Sequence, residues 1–175
     1  FKQKTAYEMI WWLEFRRVLF RSHELVKLDP TNTDYVFNLV KAQLKLNKQH
    51  SAAFELDEYE KAGGKKNEQY FTLRGNIHRQ LQEYSEAKTH YEKALQLNKD
   101  SRPQKEYVDA LLGLSKVAHA ENKTDERDSY LERALTSSPH HLKSWQWKAA
   151  LAMAEIGRAH VWTPVTRSSR MPSSA

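Results

Sequence analysis

Three small residues, Gly75, Ala87 and Ala94, recur within EQYFTLRGNIHRQLQEYSEAKTHYEKALQLN (68–98), and their placement constrains the fold more tightly than any other feature of the chain. Phe71, Gly75, Ile77 and Leu81 form one apolar stripe at helical spacing, and Tyr84, Ala87, Tyr91, Ala94 and Leu95 form a second. Gln82-Glu83 between them marks a tight connection, which predicts an antiparallel helix hairpin. Two helices cross closely only where the side chains at the crossing are small and larger residues fill the flanks. A mid-helix glycine costs about 1 kcal/mol of helix propensity, so Gly75 reads as retained for packing.

These residues resemble the tetratricopeptide repeat family, whose pattern has an aromatic or aliphatic at position 4, Leu at 7, a small residue at 8, Ala at 20, an aromatic or aliphatic at 24, Ala at 27 and often Pro at 32. Counting from Glu68, Phe71, Gly75, Ala87, Tyr91 and Ala94 take 4, 8, 20, 24 and 27, with departures at Arg74 and Lys99. From Thr33, Val36, Leu39, Ala52 and Leu56 fit, while Val40 and Tyr59 are bulky where the pattern is small, so this hairpin is expected to pack more loosely or tilt. From Val108, Leu111, Leu114, Ser115, Leu131, Ala134 and Pro139 fit, and Arg127 departs at position 20.

The resemblance implies an all-α fold, an α-solenoid of antiparallel helix hairpins wound as a right-handed superhelix. Full repeats are expected near 33–66, 68–101 and 108–141, within an array spanning 23–154. HELVKLDP (23–30) reads as the tail of a preceding repeat, and Trp145 and Ala149 as the start of a following one. Gly75, Ala87, Tyr91, Ala94, Ala134 and Pro139 are its expected structural residues. Helices are predicted near 34–46, 49–62, 67–82, 84–98, 104–121, 124–137 and 142–155. Gly63-Gly64 should stop the second of these, and Asp100 to Pro103 should begin a longer connection.

In the family the first helix of each pair lines a concave groove. Carried over by position, the groove residues here are Asp34, Phe37, Lys41, Gln69, Thr72, Asn76, Arg79, Asp109, Leu112, Lys116 and His119. That mixture of charge, amide and apolar contacts implies a protein or peptide partner, held as an extended or helical segment, and not a small apolar ligand. The carboxylate clamp of chaperone-binding members is disfavoured. One register offers Phe37, Lys41, Asp109 and Gly113, the other Thr72, Asn76, Lys143 and Trp147, and neither assembles the cationic pocket that a terminal carboxylate needs. The alternatives are that the repeats belong to a larger enzyme of glycosyltransferase or phosphatase type, or to an RNA-processing scaffold.

No catalytic residues are identified. His50, His78, His90 and His119 fall on separate predicted helices, His140-His141 in a turn, and no HExxH, glycine-rich phosphate loop or Ser/His/Asp set occurs. The chain has no cysteine, and no metal site, cofactor or enzyme activity is expected. No apolar run approaches the roughly 18 residues of a membrane span, so no membrane partner is expected, and the chain is placed in the cytoplasm or elsewhere inside the cell.

The two ends read differently. Residues 1–22 and 155–175 resemble a short-read sequencing adapter translated in frame: Lys2 to Glu8 fit AAG CAG AAG ACG GCA TAC GAG, and Leu13 to Ser22 fit CTG GAG TTC AGA CGT GTG CTC TTC CGA TCT. Glu155 to Thr166 fit the reverse complement of the second stretch, and Ser169 to Ala175 that of the first. A barcode GATCTG, spanning Met9 to Trp11, predicts Thr166, Arg167 and Ser168 through its reverse complement, and those residues are present. Trp12 and Trp162 fall where the adapter carries TGA, so the translation used a code that reads TGA as tryptophan. The competing reading of the first end is a basic amphipathic segment. Both ends are therefore expected to be non-native and the array to be an internal piece of a longer protein. Without the ends, the formal charge of +6 falls to +1, from 20 basic and 19 acidic residues, and no nucleic-acid partner is expected.

Overall fold

The computed structural model describes residues 17, 20–97 and 105–161; most of the two expected adapter segments, and the connection through Asp100 to Pro103, lie outside them. All regular structure among the described residues is helical. The chain divides between Pro139 and His140 into two compact units.

In the first unit, α1 (20–28) is followed by α2 (Thr33–Lys45), α3 (Gln49–Lys61), α4 (Glu68–Gln80), α5 (Tyr84–Leu97), α6 (Lys105–Ala120) and α7 (Thr124–Ser137). Helices α2 and α3, α4 and α5, and α6 and α7 pair as hairpins, and the first helices also touch one another, α2 on α4 and α4 on α6. That stacking makes this unit a solenoid of hairpins, as the repeat pattern predicts.

Capping is periodic. Asn32 and Asn67, each just before a first helix, accept hydrogen bonds from backbone N–H groups of α2 and α4. Each first helix ends on a non-glycine residue in the left-handed region: Asn47 (φ 55°), Gln82 (φ 65°) and Asn122 (φ 61°). In each case the next N–H reaches back to a carbonyl of the last turn, as Glu83 N does to His78 O at 2.9 Å, closing a Schellman motif. Counted from Thr33, Glu68 and Val108, all three lie at position 15, so one backbone device turns every hairpin. Gly63 (φ 82°) stops α3 in the same way.

The departures from the repeat pattern have local causes. Val40 and Tyr59 are buried, and α2 and α3 bring fewer backbone positions together than α4 and α5 do, the looser hairpin that their bulk predicts. Gly64 leaves room for the Tyr59 ring, whose hydroxyl donates to Lys65 O (3.1 Å). Arg74, where leucine is usual, pairs with Asp57 and donates to the Tyr70 hydroxyl, which itself donates to Glu60 (2.5 Å). Arg127 buries its stem and grips Asp128 with two hydrogen bonds of 2.7 and 2.9 Å. Burial of each arginine is thus compensated by a paired head group.

In the second unit, α8 spans Leu142–Val161 and leaves Leu142, Trp145, Met153 and Ile156 exposed. It runs six residues past the predicted end at 155, a correction: Gly157 costs about 1 kcal/mol of helix propensity but does not stop the helix, and the next proline is Pro164.

Candidate partner-binding face

Gly75 and Gly113 create the site by what they lack. A Cβ placed on Gly75 would lie 2.6 Å from Tyr91 Cε1, and one on Gly113 would lie 2.4 Å from Tyr91 Cζ. The fully buried Tyr91 ring of α5 therefore occupies space left by two first helices, α4 and α6. Its hydroxyl donates to Asn76 Oδ1 at 2.9 Å. Burial pushes that phenol up to about 12, against the opposing pull of the nearby Arg79 guanidinium, while Asp109 adds to the rise. Tyr91 thus remains a neutral hydroxyl at the centre of a polar group formed by Asn76, Arg79 and Asp109.

Of the eleven predicted groove residues, Asp34, Lys41 and His119 are exposed, and Gln69, Asn76, Arg79, Asp109 and Lys116 are partly exposed. Phe37, Thr72 and Leu112 are corrections: their exposures are 1%, 5% and 3%, so they cannot present side chains to a groove. All three occupy position 5 of their repeats. At about 100° per residue, position 5 lies roughly between the inward position 8 and the outward position 9, and neighbouring packing covers it. Phe37 is covered by the Tyr59 ring, edge-on at 5.4 Å, and the Thr72 hydroxyl is satisfied by Glu68 O at 2.9 Å.

Ala87, Tyr91, Ala94 and Ala134 are buried, Gly75 packs on Tyr91, and Pro139 stands in the turn after α7. Gly113 escaped the repeat pattern because position 6 has no preference in it; a glycine inside a predicted helix was the available signal.

Residues 69–101 match the family model for the tetratricopeptide repeat. The α4–α5 hairpin carries a tetratricopeptide repeat. Among solved structures, a crystal structure of MamA is similar over 90% of this chain and 83% of that chain, with a TM-score of 0.58 and 18% identity. At that identity the likeness shows a common fold. No curated protein matches the chain. The matched tetratricopeptide repeat contains Gly75, Asn76, Arg79 and Tyr91, and the following repeat supplies Asp109 and Gly113. A separate recess of about 610 Å3 lies along α7, lined by Tyr107, Asp128, Glu132 and Arg133 among others, away from the Tyr91 cluster. Among the described residues no cluster of His, Cys, Asp or Glu is placed to hold a metal ion, and no helix is long and apolar enough to cross a membrane.

Proposed function

We propose that this protein is a non-catalytic scaffold whose first helices, α2, α4 and α6, bind an extended or helical segment of a partner protein. Tetratricopeptide repeats generally mediate protein–protein interaction, and the reading assigns that role here to positions 2, 9 and 12: Asp34, Lys41, Gln69, Asn76, Arg79, Asp109, Lys116 and His119. The observation that carries it is the cluster around Tyr91. Asn76 is held by a buried hydroxyl beside the Arg79 guanidinium, so this polar group is ordered before a partner arrives, and the entropic cost of binding falls. A chaperone-tail clamp does not suit the face, because Phe37 and Thr72 are buried and Gly113 is packed on Tyr91.

The terminal segments 1–22 and 155–175 are read as non-native, with the array belonging to a longer intracellular protein. A photo-crosslinking amino acid placed at Lys41 or Lys116, on the first helices, should capture a partner that the same group at Glu92 or Glu132, on the second helices, does not. Equal capture from both sets would overturn the assignment of the binding face. No capture from the first-helix set, with capture from the second, would move the site to the opposite face.

A further inference from the structure

A second cluster of titratable groups lies inside the α4–α5 hairpin, and the binding reading does not use it. The rings of His78 on α4 and His90 on α5 stack at 5.0 Å with an interplanar angle of 13°, and Phe71 stacks on His90 at 6.3 Å. His78 Nδ1 meets Glu83 Oε2 at 2.6 Å. His90 Nδ1 is buried and has no hydrogen-bond partner.

We propose that the stacked His78–His90 pair is an acid-sensitive seam, which holds the α4–α5 hairpin closed while His90 is neutral and loosens it when His90 takes up a proton. A proton on Nδ1 would leave an N–H buried with no acceptor and place a positive charge face to face with the neighbouring imidazole. Groups around His90 mostly oppose that charge: His78 and Arg74 act on it from α4 and Lys93 from α5, while Glu60 of α3 favours it. Glu60 is already engaged by Lys66 and Tyr70, and Glu83 by His78. Glu86 of α5 faces both imidazoles from solvent. On the other helices packed against α5, Asp109 of α6 acts on Tyr91 and Glu126 of α7 pairs with Lys88.

Burial, reinforced by His78, Lys93 and Arg74, holds the His90 imidazole down to about 4 against an ordinary 6.5. The unfolded chain then binds a proton at this residue before the folded chain does. The seam's stabilisation is fully present above about pH 6.5 and is lost as pH falls towards 4. Phe71 touches the core clusters on both sides of the hairpin, so opening here weakens the middle of the array first.

The test compares thermal unfolding of the whole chain and of His90→Phe, which keeps the ring stack and removes the titration. Between about pH 7 and 4.5 the unaltered protein should lose about 3–5 °C more in Tm than the variant does. Parallel losses, differing by less than about 1 °C, would overturn the proposal. Should His90→Phe not fold, histidine-ring NMR on the unaltered chain decides instead. His90 resonances that stay neutral to near pH 4, with amide exchange in α4 and α5 rising through the same titration, support the seam. A His90 that titrates like a free imidazole, without faster exchange, refutes it.

Discussion

Tyr91 fills the space that a side chain on Gly75 would require, with only 2.6 Å between its Cε1 and a Cβ built there. Because Gly113 leaves the same kind of opening on α6, one aromatic ring connects two consecutive first helices through the second helix between them. The repeats are therefore joined by a shape that glycine alone permits.

Gly75→Ala and Gly113→Ala should each destabilise the protein. Alanine gains about 1 kcal/mol of helix propensity, but overpacking a buried ring costs about 1–3 kcal/mol, and Tyr91 is anchored by Asn76 and cannot swing aside cheaply. The expected outcome is a lower urea midpoint at an unchanged m-value. A midpoint at or above that of the parent would remove the packing account of both glycines.

Gln82→Gly should stabilise by about 0.5–1 kcal/mol. Gln82 holds a φ of 65°, which costs a residue with a Cβ about 1–2 kcal/mol and costs glycine much less, although glycine also loosens the unfolded chain. The same change at Asn47 or Asn122 should gain less, since asparagine tolerates that region. Denaturant titration of the three variants gives the order directly.

Acid stability should depend on Glu60. Lys66 and then Tyr70, by hydrogen bonding to the carboxylate, bring it down from 4.5 to about 2. Its folded value lies below its unfolded one, so its contribution is present above about pH 4.5 and disappears as pH falls through 2. Glu60→Gln should flatten that part of the stability profile. Because the side chain is 39% exposed, added salt should shrink the difference between the two proteins. Identical acid limbs would remove Glu60 from the account.

Removing 1–22 and 155–175 should leave the hairpins folded. Among the described residues, the buried core clusters of α2 to α7 fall within 36–134, with Val26 of α1 packed against the first, and none of these residues lies in either end. The 23–154 chain should keep its helical circular-dichroism spectrum and a cooperative melt; loss of either would count against the reading of the ends as foreign.

Periodicity and small-residue spacing by themselves determined the hairpin array, because a helix-spaced apolar stripe and a small residue at a crossing are local requirements written along the chain. Gly75, Ala87 and Ala94 were legible for that reason, and so was the broader α2–α3 packing around Tyr59. Tertiary structure alone decided what fills each opening. That Tyr91 lies across both Gly75 and Gly113, that position 5 is covered by neighbouring residues, and that His78 and His90 meet face to face all depend on contacts between helices. A helical wheel fixes the angle at which a residue leaves its own axis; which neighbour then buries or orients it is set by the packing of the next helix.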